Sequence, residues 1–454
     1  MKRIAMEELI AWDQNKHKKP LILWGARQVG KTYLIKDLFA ETYYKGRYLY
    51  IDCKIEDEIR NFCSQTANPA KMIEYISLLK GRPIKEDTLL IFDEVQECPN
   101  IISALKYFCQ DFREIPVIAT GSMVRIKLQR EVTKRGGSDS GKFLFPVGKI
   151  NQITIFPMTF EEFLMNANPV LYGAVKKAYE QKESLEGKIH DLAMDMVYRY
   201  LLIGGMPEAV DVYIDSKDLF ESREILKALY DNYLADMDLY QVSRESILRS
   251  RTLFSNIYRE LNKESKNFSP GLIEAKSRTR DYETAIQWLT MAHILNRSFQ
   301  LKEHVTMPLM ADSDSKFRLF LGDIGMFSYQ SGINAASFIS NDRENVLAGI
   351  FFENFVANEL IAAGHDLFYW KGKASAELEF MIESDNRLYP LDVKKGRGSL
   401  NSLEKFSYHN KFECAIKISG NHYGYDGEHK LLTVPFYYVS FLARNLAAGT
   451  MDIV

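Results

Sequence analysis

Leu21-Ile22-Leu23-Trp24-Gly25-Ala26-Arg27-Gln28-Val29-Gly30-Lys31-Thr32 is the stretch on which the fold turns. Its four leading apolar residues show no polar alternation and predict a strand buried on both faces. Gly25 and Gly30 bracket a tight loop that Lys31-Thr32 closes. Tyr33-Leu34-Ile35-Lys36-Asp37-Leu38-Phe39 then follows with helical spacing. Strand, glycine loop and helix in this order fit the pattern G-x-x-x-x-G-K-[ST]. Such a loop, Gly25, Ala26, Arg27, Gln28, Val29, Gly30, Lys31 and Thr32, turns its backbone N–H groups towards a phosphate chain. Lys31 reaches the β- and γ-phosphates, Thr32 ligates Mg²⁺, and the helix N-terminus adds partial positive charge. The expected cofactors are ATP and Mg²⁺. Arg27, inside the loop, is expected to be structural rather than a finger acting on a neighbouring subunit.

A second segment extends this expectation. Thr88-Leu89-Leu90-Ile91-Phe92 is another continuous apolar strand, and it ends in Asp93-Glu94. Parallel sheets carry their functional groups at the carboxyl ends of the strands. Asp93 is placed to hold Mg²⁺, and Glu94 to polarise an attacking water. Pro116-Val117-Ile118-Ala119 leads into Thr120-Gly121-Ser122. Thr120 and Ser122 are either sensors of the γ-phosphate or turn caps.

The chain has 454 residues, 46% apolar and 26% charged, enough for two to four domains with cores of their own. No apolar run reaches the roughly 18 residues that a membrane span needs. The first ten residues, with Glu7 and Glu8 among them, predict an amphipathic helix rather than a leader. Cys53, Cys63, Cys98, Cys109 and Cys414 show no C-x-x-C spacing and fit reduced thiols in a cytoplasm. A net charge of -2 gives no overall attraction to nucleic acid.

Residues 1–156 alternate strands, expected at 20–24, 47–52, 88–93, 115–120 and 150–155, with helices at 31–41, 70–80 and 99–113. That order implies an α/β fold with a parallel sheet covered on both faces. The stretch 125–142 is basic and then glycine-rich, with the composition of a loop. From 157 to 330 the pattern is helical, opened by the capping box Thr159 and Glu162. Short helices at 247–260, 270–276 and 282–292, then a strand at 294–299, have the outline of a winged helix. A plain helical packing module fits the same pattern. Lys276, Arg278 and Arg280 give it a modest basic spot. The region 331–454 has a helix at 349–363 and then strands. Glu377 and Glu379 are expected on one face of a strand, and Asp392 and Lys394 on one face of the next. Acids that hold a hard cation and a lysine beside them suit a Mg²⁺-dependent phosphodiesterase. An ordinary charged sheet face has the same spacing.

These motifs together resemble a prokaryotic family of AAA-type ATPases. The likeness also includes Pro157-Met158-Thr159-Phe160-Glu161-Glu162-Phe163, Gly204-Gly205-Met206-Pro207 and Phe320-Leu321-Gly322-Asp323-Ile324-Gly325. It implies an AAA-type core over 1–156, a helical region over 157–330, and a restriction-endonuclease-like α/β domain over 331–454. Glu353, Glu379, Asp392 and Lys394 fall where that last fold places its site. Glu379 stands where aspartate is usual, and Gly148-Lys149 where Gly-Arg is usual. Two functions fit: an ATPase that handles DNA or RNA, and a nucleotide-dependent switch whose last domain binds a protein without cutting nucleic acid. An oligomer of the chain is compatible with both.

Overall fold

A computed structural model describes residues 1–121, 146–240, 243–335, 348–373, 376–394 and 401–451. Ser122 and the basic, glycine-rich stretch 125–142 lie outside the described residues. The chain divides into two compact units, Arg3–Phe156 and a second made of Met1–Lys2 with Pro157–Val454.

In the first unit five strands, β1 (Leu21–Trp24), β2 (Tyr48–Asp52), β3 (Leu89–Asp93), β4 (Val117–Thr120) and β5 (Asn151–Thr154), form one sheet in the order β2-β3-β4-β1-β5. Every neighbouring pair is parallel. β1, β3 and β4 are buried along their whole length, as their unbroken apolar runs require. Helices α1 (Ala5–Gln14), α2 (Tyr33–Ala40), α3 (Asp57–Gln65), α4 (Pro69–Leu79) and α5 (Pro99–Asp111) complete the unit. Ile22, Ile51, Leu90 and Phe92 from the strands pack with Ile59, Met72, Ile76, Ile101, Leu105 and Phe108 from α3–α5. Cys53, Cys63 and Cys98 sit in that core as free thiols. Two features depart from expectation. α2 carries wide π-type turns. α3 appears where no helix is expected, since it buries only Ile59 and Cys63 and its apolar stripe is short.

The second unit begins with helices α6 (Phe160–Ala167), α7 (Pro169–Glu180), α8 (Gly187–Ile203), α9 (Pro207–Ser216) and α10 (Leu219–Tyr240). The expected helix 247–260 is two helices, α11 (Arg244–Phe254) and α12 (Ile257–Leu261). The segment 270–276 contains only a short 3₁₀ turn, Pro270–Leu272. After α13 (Thr279–Met291), strand β6 (Leu295–Gln300) pairs antiparallel with β7 (Phe317–Leu321). The other edge of β6 pairs in parallel with β8 (Leu367–Lys371), so this hairpin is part of a four-stranded sheet, β7-β6-β8-β9. Between them lie α14 (Ile324–Ser331) and α15 (Ala348–Ala362).

The strand expected through Glu377 and Glu379 breaks at Glu379. Its first part, β9 (Glu377–Leu378), pairs with β8. Its second part, β10 (Phe380–Ser384), pairs with β11 (Arg387–Val393) in another sheet. That sheet includes β12 (Ala415–Ser419), β13 (Gly424–Asp426) and β14 (Leu431–Pro435), in the order β10-β11-β12-β14-β13. Helices α16 (Asn401–Ser407) and α17 (Val439–Ala447) complete the unit.

Three of the motif segments meet in one knot. Asp323 caps α14 by accepting from the Met326 amide at 2.8 Å, and it accepts from the Gly205 amide at 2.7 Å. The Met158 amide donates to the Gly205 carbonyl at 2.6 Å. A Cβ on Gly205 would lie 2.0 Å from the Met158 carbonyl oxygen, and one on Gly325 2.3 Å from that of Ile203. Only glycine lets these backbones touch. Helix α15 ties neighbouring elements through its polar residues. Asn354 exchanges hydrogen bonds with the backbone of Leu321, and Asn358 donates to the same carbonyl at 2.7 Å. Glu359 accepts from the Phe160 amide at 2.9 Å and from the Ser440 hydroxyl at 2.5 Å. Burial pushes Glu359 up to about 8, opposed by those two donors.

Gly205→Ala and Gly325→Ala are each expected to destabilise the protein by about 3 kcal/mol or more in urea unfolding. Gly173→Ala, in an exposed turn of α7 with open space for a Cβ, is expected to be neutral or to stabilise by up to ~1 kcal/mol. Glu359 has a second, pH-dependent signature. Its folded pKa lies above the ordinary carboxyl value of 4.5, so the stability it contributes is complete at acid pH and is lost as pH rises through about 8. Glu359→Gln should therefore raise the unfolding midpoint relative to the parent above pH 8, with a smaller gain or a loss near pH 5. Identical pH profiles for the two proteins would refute this.

Candidate functional site

The loop 25–32 follows β1 at the carboxyl edge of the sheet, beside the ends of β3 and β4. Gly25 has φ +140°, and a Cβ there would lie 2.2 Å from the Ile155 carbonyl oxygen; Gly30 has φ +85°. Gln28 also takes a left-handed conformation, at φ 63°. The loop is backed by Arg3, whose guanidinium donates to the Val29 carbonyl at 2.9 Å and the Phe156 carbonyl at 2.8 Å. Lys31 is buried, and its ammonium donates to the carbonyls of Ala26 at 2.7 Å and Gly25 at 3.1 Å. Burial lowers its pKa to about 8, against the pull of Glu94 and Asp93.

Asp93 is where the separate motifs converge. Its Oδ2 accepts from the Thr32 hydroxyl at 2.7 Å and from the Tyr50 hydroxyl at 2.7 Å, and its Oδ1 accepts from the Glu94 amide at 2.9 Å. Glu94 is left-handed, at φ 51°, and its carboxylate accepts a hydrogen bond from the Gln96 amide group. Thr120 ends β4, fully buried, and its hydroxyl has no hydrogen-bond partner among the described residues. A phosphate oxygen at the loop would satisfy that orphaned group. A lysine over the loop, a threonine bonded to an aspartate and a buried free hydroxyl fit a phosphate chain with Mg²⁺. Lys149 precedes β5, at the opposite edge of the sheet from the loop.

Tyr50, Arg3 and Gln96 are the residues that sequence reasoning misses here. Tyr48, Tyr50 and Asp52 alternate with buried Leu49 and Ile51, which marks a strand with one polar face. Nothing local says that this face meets Asp93.

In the second unit the structure brings together Glu353, Glu379, Asp392 and Lys394, and adds Lys266, Glu377 and Arg318. The Lys394 ammonium lies 2.7 Å from Asp392 Oδ1 and 3.1 Å from Glu379 Oε1. Glu379 Oε2 accepts from the Val393 amide at 3.1 Å. Lys266 lies 2.5 Å from Glu353 Oε1 and 3.6 Å from Glu377 Oε1. Arg318, almost fully buried, lies 2.7 Å from Glu377 Oε2 and is stacked 3.9 Å over the Tyr369 ring. Burial and the neighbouring Glu379 carboxylate push Asp392 up to about 7, against Lys394. Burial also acts on Glu379, but Lys394 and Lys266 outweigh it and hold that carboxyl below its ordinary value. These side chains do not fit a resident Mg²⁺, because ammonium groups occupy the cation positions. Among the described residues, no group of three or more His, Cys, Asp or Glu side chains is placed to hold a metal ion.

Residues 17–164 match the family model of an AAA domain. Residues 194–337 and 348–437 match two families, DUF8612 and DUF4143, each described as a domain of unknown function. The Walker-type ATPase of Pyrococcus abyssi is a structural relative with a TM-score of 0.41 and 14% identity, over 73% of this chain and 95% of that one. No curated protein matches the chain. The parallel sheet, its glycine loop and the AAA-domain match identify the first unit as an AAA-type P-loop domain with the α/β fold of an ATPase. No helix among the described residues is long and apolar enough to cross a membrane.

Arg3→Ala leaves the Val29 and Phe156 carbonyls without their buried donor. It is expected to cost about 1–3 kcal/mol, read as a lower unfolding midpoint for the first unit. An unchanged midpoint would show that Arg3 does not hold the loop.

Proposed function

We propose that the first unit binds ATP with Mg²⁺ and hydrolyses it slowly, and that the chain works as a nucleotide-dependent switch whose C-terminal region binds a partner. The observation that carries the ATP reading is the 2.7 Å hydrogen bond from Thr32 to Asp93, made beside a buried lysine. Lys31 leaves the loop carbonyls for the β- and γ-phosphates, and the loop amides of 25–32 cradle the chain. Thr32 and Asp93 hold Mg²⁺, which, when bound, neutralises charge on the phosphates. Glu94 orients water and holds its proton, with Gln96 fixing the carboxylate. Thr120 donates to a phosphate oxygen. The switch is favoured over an ATP-driven nuclease by the ammonium groups seated among the C-terminal carboxylates.

Calorimetric titration with ATP and Mg²⁺, paired with phosphate release, tests this. Lys31→Ala should weaken binding at least about tenfold. Glu94→Gln should keep binding and lose about 10²-fold or more in turnover. The free Lys31 pKa is about 8 and a phosphate favours the ammonium form, so binding near pH 8 should take up part of a proton and weaken as pH rises further. The heat of binding should then depend on the buffer's ionisation enthalpy, and Lys31→Ala should remove that dependence. A parent protein with no affinity for ATP would end the proposal.

A further inference from the structure

Four carboxylates of the second unit, Glu353, Glu377, Glu379 and Asp392, face three cations, Lys266, Arg318 and Lys394. Lys266 belongs to none of the motifs around it and enters from the segment between α12 and α13. It is not a loose side chain on a free loop. On one side of it, Lys263 is paired with Glu260 at 2.5 Å. On the other, Asn267 accepts from the Tyr369 hydroxyl at 2.6 Å, and the Phe268 amide donates to the Phe317 carbonyl at 2.8 Å. The Phe268 ring also stacks on Phe317, with centroids 5.7 Å apart. Backbone and side chains thus hold the Lys266 ammonium 2.5 Å from Glu353 Oε1.

Glu353 is 6% exposed, and its Oε2 has no hydrogen-bond partner among the described residues. This buried, half-satisfied carboxylate keeps one oxygen free to accept, and its other oxygen already holds an ammonium. A divalent ion shared among these carboxylates and bound to Glu353 Oε1 at about 2.0–2.6 Å would compete for the place that nitrogen holds. Metal and lysine are therefore alternative occupants. We propose that Lys266 is a tethered counter-ion that closes this cluster to divalent metal ions, so that in the intact protein the carboxylates form an ion-pair network instead of a metal centre.

The test uses the full chain without nucleotide and Mn²⁺ alone as the probe, followed by calorimetry and by the electron paramagnetic resonance of free Mn²⁺. Each protein is compared with its own Asp392→Asn partner, so that a site elsewhere cancels. The parent pair should bind Mn²⁺ identically. Lys266→Met should gain one Mn²⁺ site, at least about tenfold tighter than any the parent has at this cluster, and the added Asp392→Asn should remove it. Lys266→Gln, which keeps a hydrogen bond to Glu353, is the second variant should Lys266→Met fail to fold by circular dichroism. A Mn²⁺ site in the parent that Asp392→Asn abolishes overturns the proposal. So does a folded Lys266 variant with no new site. If neither variant folds, the parent pair decides alone, with equal binding supporting the closure and unequal binding refuting it.

Discussion

A carboxylate at the end of a strand buried on both faces must find most of its hydrogen bonds inside the protein, because little water reaches it and an unsatisfied charge costs several kcal/mol or more. Asp93, 4% exposed, finds three donors. One is the hydroxyl of Thr32 at the start of α2, one the hydroxyl of Tyr50 on the neighbouring strand, and one the amide of Glu94. Satisfying this one charge fixes the start of α2 against the ends of β2 and β3. The glycine loop then has little freedom, since its entry is clamped by the contact between Gly25 and Ile155 and its middle by Arg3. Lys31 lies over a loop whose position is already set.

How much of this is legible in the sequence depends on how local each contact is. The loop, its strand and its helix are contiguous, and the buried strand ending in Asp93-Glu94 announces itself by an unbroken apolar run. The parallel sheet follows from the alternation of strands and helices. Tyr50 is different. Its alternation with Leu49 and Ile51 shows that it faces away from the core, but its meeting with Asp93 requires β2 to lie beside β3, and no local pattern contains the order β2-β3-β4-β1-β5. Arg3 is harder still, since it bonds a carbonyl 153 residues away.

The second unit shows the same limit from the other side. Two of the three knot segments stand out by their glycines, but the reason for all three appears only when Gly205, Met158 and Asp323 touch. Placing Glu377 and Glu379 on one face assumes an unbroken strand. The chain instead changes sheets at Glu379, so Glu377 turns to Arg318 and Lys266 while Glu379 turns to Lys394 and the Val393 amide. Asp392 near the end of β11 and Lys394 just past it, two apart, do meet as their spacing predicts. Lys266 lies 87 positions from Glu353, and nothing in either neighbourhood points to the other.

The two acidic sites use similar residues to opposite ends, and the difference lies in the charge of the donors. At Asp93 all three are neutral, two hydroxyls and an amide. Neutral donors hold a carboxylate in place while leaving its charge in force, so the group keeps its attraction for a cation. In the C-terminal cluster the donors include two ammonium groups, and Arg318 adds a guanidinium. Cationic partners position the carboxylates equally well but cancel the field that would draw a divalent ion. A list of acidic residues at metal-binding spacing cannot separate these cases. Naming the partner of each oxygen can, and at Glu353 that partner is a lysine from a segment outside the motif.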